Sequence, residues 1–193
     1  MTPNMQNSIT RCPWCGTDEL YMRYHDEEWG KQVTDEQILF EFLVLESAQA
    51  GLSWITILRK REHYRRLFAD FDYHKVAQFT ADDVERLLLD PGIIRNRLKV
   101  KSTIENAKIF IRIQEEFGSF YRYLYSFLPH EAPIINQLKS LKDAPVSTPE
   151  SDAIAKDLKK RGIKFFGTTI CYAYMQAVGM VNDHLVDCTF RDR

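Results

Sequence analysis

Apolar side chains recur along this chain at intervals of three and four residues, the spacing that places them on one face of an α-helix. From Asp35 to about Glu46 such a face is formed by Ile38, Leu39, Phe42 and Leu45, and a second helix is predicted from about Trp54 to Leu67. Thr80 followed by Asp83 has the form of a variant capping box. It opens a helix with Val84, Leu87 and Leu88 inward that stops near Asp90, before Pro91 and Gly92. Beyond that turn Val100, Ile104, Ala107 and Ile111 share one face, while Lys101, Glu105, Lys108 and Arg112 share the other. Together these segments predict a helix, a tight hairpin and a second helix. The stretch from Pro129 to Pro149 is rich in proline and polar residues and reads as a connecting loop. Thr148 as N-cap, with Pro149 after it, then starts a helix ending near Gly162, and Thr168 is placed to cap another that runs to Gly179. Alternating β-branched runs with hairpin turns are missing from the pattern, so the predicted fold class is all-α.

A length of 193 residues suits one substantial core, so residues 1–193 are expected to form one unit, with residues 80–112 as a lobe built on the hairpin. Hydrophobic residues make up 45% and charged residues 27%, without an apolar run long enough to span a membrane, which predicts a soluble protein. The opening MTPNMQNSIT has neither a basic start nor an apolar stretch, so a cytoplasmic location and a monomer are the expectations. A net charge of −1 excludes a nucleic-acid binder coated in positive charge. Any such affinity must sit in local patches. Arg59, Lys60, Arg61, Arg65 and Arg66 form one, and Arg95, Arg97, Lys99 and Lys101 another, although each taken alone reads first as a solvated helix face.

Cys12 and His25 lie near one end, and His184 and Cys188 near the other. Two sulfur and two nitrogen donors suit a tetrahedral Zn²⁺, which would tie residues 11–30 to residues 180–190 in a clamped lobe. Four protein ligands leave no open position, so such a metal is structural rather than catalytic. Spacing alone does not separate this reading from chance placement, and Cys15, in Cys12-Pro-Trp-Cys15, is an alternative ligand. A redox dithiol is disfavoured, because the strand before and helix after it that such a motif needs are not evident. Cys171 lies in an apolar helix and reads as a small buried side chain.

The segments RCPW, YHDEEWG, LESAQAGLSWITIL, GIIRNR and KRGIKFFGTTICYAYMQAVGMVNDH resemble the 3-methyladenine DNA glycosylase I family, a branch of the helix-hairpin-helix glycosylases. The resemblance runs from about Arg11 to Cys188. It implies a helix-hairpin-helix glycosylase fold whose N- and C-terminal segments are joined by a zinc ion on Cys12, His25, His184 and Cys188. It also implies an aromatic base pocket with Glu46 as the recognition and catalytic residue and Trp14, Tyr21, Tyr24 and Trp54 around it. Without the resemblance, Glu46 at the end of an apolar helical face reads as well as a salt-bridge partner, and the aromatics as core.

The implied chemistry suits these residue types. A duplex hides its bases, so an enzyme cutting a glycosidic bond must flip the nucleotide out into a pocket. N3-alkylated adenine is cationic while attached to sugar, and aromatic faces add a cation–π attraction of roughly 0.5 to 2 kcal/mol that normal adenine lacks. Glu46 can read the adenine edge as acceptor or, if protonated, as donor. Gly92, Arg95 and Arg97 at the hairpin are expected to hold a phosphate of double-stranded DNA without reading sequence. The expected reaction is hydrolysis releasing free 3-methyladenine, with no strand cleavage. A competing expectation is a non-catalytic zinc-stabilised module that binds damaged DNA, which turnover would distinguish.

Overall fold

The structure is a computed structural model and describes residues 9–192. Its described elements are mostly helices: α1 (Glu19–Glu27), α2 (Glu36–Gln49), α3 (Trp54–Leu67), α4 (Tyr73–Val76), α5 (Ala81–Leu89), α6 (Arg97–Phe117), α7 (Phe120–Tyr125), α8 (Pro149–Arg161) and α9 (Thr168–Ala177). Two short strands, β1 (Ile134–Ile135) and β2 (Val181–Asn182), pair in parallel.

Helix α2 is the centre of the packing. Asp35 caps it by accepting from the Ile38 N–H at 3.0 Å, and every residue from Leu39 to Ala48 is buried. The expected single apolar face is therefore wrong in kind: Ile38 is the exposed member of the predicted set, and the helix is enclosed on nearly all sides, as an all-round apolar helix must be. It meets α3, α6, α7 and α9. Burying Glu41 on such a helix requires a partner, and Arg61 and Arg65 of α3 donate to it at 2.6 and 2.9 Å while Arg61 also grips Glu28. This network braces α2 and α3 against the chain just after α1.

Helices α5 and α6 follow the predicted pattern. Thr80 and Asp83 form a reciprocal capping box, Val84 and Leu87 are buried, and Asn96 caps α6 by accepting from the Leu98 and Lys99 N–H groups at 3.0 and 3.1 Å. Lys99 then reaches out of α6 and donates to the Ala48 and Ala50 carbonyls at 2.9 and 3.0 Å. That contact closes the C-terminal end of α2 and satisfies carbonyls that a helix end leaves without partners.

Three expectations need correction. Helix α9 is capped at Gly167, not Thr168; the Thr168 hydroxyl is engaged with Ser151 Oγ at 2.9 Å, which ties the starts of α8 and α9 together. The helix also ends at Ala177, two residues before Gly179 takes a positive φ. The Pro129–Pro149 segment is not only a loop, because Ile134 and Ile135 pair with Val181 and Asn182. The polar segment Glu19–Glu27 is helical, started by Asp18 accepting from the Tyr21 N–H at 3.1 Å. Among the described residues no helix is long and apolar enough to cross a membrane.

Candidate active site and metal-ligand cluster

A cavity of about 210 Å³ opens between α1, α2, α3 and α9 and is lined by all five predicted pocket residues, Trp14, Tyr21, Tyr24, Glu46 and Trp54. The aromatic rings form a continuous wall. Trp14 lies edge-on to Tyr21 at 5.0 Å between centroids, Tyr24 lies 5.6 Å from Trp54, and Trp54 stacks on Phe42 at 6.3 Å. Such walls accept a flat ring by dispersion and attract a cation to their faces.

Glu46 is projected into this cavity by the last turns of α2 and is 3% exposed. Its Oε2 has no hydrogen-bond partner, and neither do the indole N–H groups of Trp14 and Trp54. A buried polar atom left without a partner costs roughly 1 to 3 kcal/mol, so three around one cavity mark a place built for something else to complete. Burial pushes the Glu46 carboxyl up to about 8. The neutral acid is therefore the main form near pH 7, and it can donate as well as accept. Burial and the adjoining Glu46 also hold the Tyr24 hydroxyl well above its ordinary value, which keeps it a neutral donor.

Sequence reasoning missed Trp29, Gln49, Leu138, Gln176 and Asp183, which also line the cavity. Asp183 and Gln176 carried one available signal: they are polar positions in an otherwise apolar run just before His184. Leu138 had none, since it arrives from a segment distant in sequence.

Behind the Trp14 wall, the side chains of Cys12, His25, His184 and Cys188 converge with their four donor atoms within 4.8 Å of one another, all buried. Such a set can hold a metal ion. Cys15 stands outside it, with its thiol donating to the Cys12 carbonyl at 3.2 Å. Both histidines are oriented from behind: His25 Nδ1 pairs with Asp26 at 2.8 Å, and His184 Nε2 donates to the Trp29 carbonyl at 3.0 Å. Those contacts leave His25 Nε2 and His184 Nδ1 free of a proton and aimed inward, the orientation that ligands need. Burial is the main cause that pushes the Cys12 thiol up to about 12, with Cys188 beside it adding to the shift, and His184 down to about 4, so the uncharged forms are favoured unless a cation offsets the charge on sulfur. The cluster joins the two ends of the described chain, where Thr10 and Thr189 also exchange backbone and side-chain hydrogen bonds at 2.9 Å. Trp29 packs edge-on to both His184 and Trp14, at 4.7 and 4.9 Å, so the cluster and the cavity share a wall.

The hairpin residues lie elsewhere. Gly92 is buried, and its N–H donates to Asp90 Oδ1 at 2.7 Å. A Cβ added there would lie 2.4 Å from the His63 ring, so the residue type is set by close approach of α3. Arg95 is exposed, and Arg97 is exposed and paired with Glu85 of α5 at 2.8 Å.

The family model described as methyladenine glycosylase matches residues 14–192. A DNA-3-methyladenine glycosylase 1 from Escherichia coli is 51% identical over 180 residues, which cover 93% of this chain and 96% of that protein. A crystal structure of a 3-methyladenine DNA glycosylase I superposes with a TM-score of 0.90 at 51% identity, covering 93% of this chain and 98% of the other. A second, a variant solved in complex with 3-methyladenine, superposes with a TM-score of 0.91 at 36% identity over 95% of this chain and 98% of the other.

Proposed function

The chain belongs to the methyladenine glycosylase family, and from that premise we infer that it excises 3-methyladenine from alkylated DNA, with the aromatic cavity around Glu46 as its base pocket. The observation that carries this reading is the unpartnered Oε2 of Glu46 inside a wall of aromatic rings. It is a polar group with nothing to bind until a heterocycle with donors and acceptors on its edge enters.

The base reaches the pocket flipped from double-stranded DNA and stacks between Trp14, Tyr24 and Trp54, with Tyr21 at the rim. Its positive charge is stabilised by the ring faces, and Glu46 hydrogen-bonds its edge. When the bond between C1′ and N9 breaks, its electron pair goes to the purine and cancels the charge, so the base leaves as neutral 3-methyladenine. Water adds to C1′ and gives up a proton, leaving an abasic site. Because the alkyl group has already made the base a good leaving group, the pocket has less acid catalysis to supply. Glu46 therefore acts chiefly through recognition.

Helices α5 and α6 with their turn serve as a helix-hairpin-helix that holds one DNA phosphate, through Arg95 and the backbone from Pro91 to Arg97. Gly92 serves there by letting α3 approach, since its own N–H is already taken. Arg97 can join once its pairing with Glu85 opens. Zn²⁺ is the metal that suits the Cys and His cluster: with bonds of about 2.3 Å to sulfur and about 2.0 Å to nitrogen, a tetrahedral ion would need S···N edges of about 3.5 Å. Three of the four such edges are 3.3, 3.6 and 3.7 Å. When bound, the ion supplies no step of the reaction but locks the ends of the chain and the Trp14–Trp29 wall behind the pocket. The protein works as a monomer in the cytoplasm.

The test is release of free 3-methyladenine from methylated duplex DNA by the purified protein, followed on a denaturing gel. The expected result is base release with an intact strand. Strand cleavage by β-elimination contradicts simple hydrolysis, and binding to damaged duplex without release favours a non-catalytic module.

A further inference from the structure

Asp183 and Gln176 face the same cavity as Glu46 and have no part in the recognition assigned to it. Asp183 is 3% exposed, and its carboxylate accepts three hydrogen bonds. Tyr172 Oη and Gln176 Nε2 donate to Oδ2 at 2.7 and 2.8 Å, and Asn136 Nδ2 donates to Oδ1 at 2.7 Å. A carboxylate can only accept, so it decides which end of the Gln176 amide turns towards it. The NH₂ group faces Asp183 and leaves Oε1 on the opposite edge. The backbone below is pinned as well: the Gly30 N–H donates to the Gln176 carbonyl at 2.9 Å, and Gly179 lies so close to Lys31 that an added Cβ would sit 2.2 Å from its backbone. Gln176 lines the cavity, so the edge of its amide left for a ligand is an acceptor, held in that orientation by Asp183.

Glu46 behaves differently. As a neutral acid it offers one donor and one acceptor, and rotation exchanges them, so it can satisfy either an amine or a carbonyl on an incoming base. Adenine carries an amine donor at its sixth position where guanine carries a carbonyl acceptor. An adaptable carboxyl accommodates both, whereas a fixed acceptor binds the first and repels the second. An acceptor held in one orientation therefore adds discrimination that a rotatable carboxyl does not supply.

We propose that Gln176 is a specificity-determining residue, selecting alkylated adenine over alkylated guanine through Oε1, and that Asp183 is the positioning residue that keeps its amide from flipping. This rests on the cavity being the base pocket. The experiment compares 3-methyladenine with 3-methylguanine in two ways with the full-length protein: tryptophan fluorescence titration with each free base, and excision of each from methylated duplex. The parent is expected to prefer adenine in both. Gln176→Leu, at a half-buried position, should narrow the preference about tenfold by weakening adenine and relieving the repulsion of guanine. In Asp183→Ala the acceptor that orients the Gln176 amide is gone, so the amide is free to turn over and the preference should shift towards guanine at unchanged metal content. A structural role for these residues would weaken both bases equally. An unchanged ratio in Gln176→Leu overturns the proposal, whatever the second variant does. A parent that discriminates between the free bases yet excises neither refutes the glycosylase reading and leaves this one standing.

Discussion

Replacing Glu46 with glutamine should make the protein more stable at alkaline pH and leave it nearly unchanged in acid. The cavity places a carboxyl in a dry aromatic wall with one oxygen unpartnered, and burial raises it from 4.5 to about 8. Below about pH 4.5 the group is neutral in both folded and unfolded chains, so its ionisation contributes nothing to the balance. Between 4.5 and 8 the unfolded chain ionises and the folded one does not, so stability is lost progressively as pH rises. Above 8 the loss is complete. At about 1.4 kcal/mol per pKa unit the span corresponds to an upper bound near 5 kcal/mol, and water entering the open cavity should reduce it to about 1 to 3 kcal/mol. Glutamine has nearly the same shape and no charge to desolvate. Urea unfolding of parent and Glu46→Gln at half-unit steps from pH 5 to 9 reads the difference, in which the other titrating groups cancel. A gap that opens with pH in favour of the variant is expected. A gap that stays flat, or one that opens in favour of the parent, refutes the claim that the carboxyl is held neutral by burial.

Removing the metal with a strong chelator, or substituting Cys188→Ala, should loosen the pairing of Thr10 with Thr189 and lower Tm markedly; hydrogen exchange at those amides is the check, and unchanged protection would show that the cluster is not a clamp. Arg95→Ala should weaken binding to undamaged duplex and reduce the slope of log affinity against log salt by about one, while free-base binding in the pocket stays unaltered. Gly92→Ala should destabilise the protein by about 1 to 3 kcal/mol through its clash with His63, and His63→Ala in the same chain should restore most of that, as read by urea unfolding.

Much of this site was legible because its parts are chemically conspicuous. Cys12, His25, His184 and Cys188 are rare residue types at the two ends of a chain, and they converge. Trp14, Tyr21, Tyr24 and Trp54 gather around Glu46 as the family resemblance implied. Capping signals at Thr80 and Thr148 marked helix starts correctly because they are local hydrogen bonds, settled within three residues. What could not be read depended on distant partners. Periodicity treated α2 as half-buried because it records which positions are apolar, not how many neighbours surround them. Nothing around Ile134 announces its pairing with the Val181 strand, and a two-residue parallel ladder leaves no pattern to find. The fate of the Gly92 N–H turned on the Asp90 side chain, and the orientation of Gln176 turns on Asp183, which Tyr172 of the same helix and Asn136 from a distant segment also reach. The choice of cap at α9 was misread because Thr168 spends its hydroxyl on a neighbouring helix.

We infer that the Glu46 cavity is where 3-methyladenine is held and released. The most direct test is single-turnover release of free 3-methyladenine from methylated duplex by the metal-loaded parent and by Glu46→Ala, with folding of both checked by circular dichroism. Release by the parent and a rate at least about tenfold lower in the variant are expected, consistent with loss of a hydrogen bond to a charged base. Equal rates from the two proteins would contradict the inference and move recognition away from Glu46.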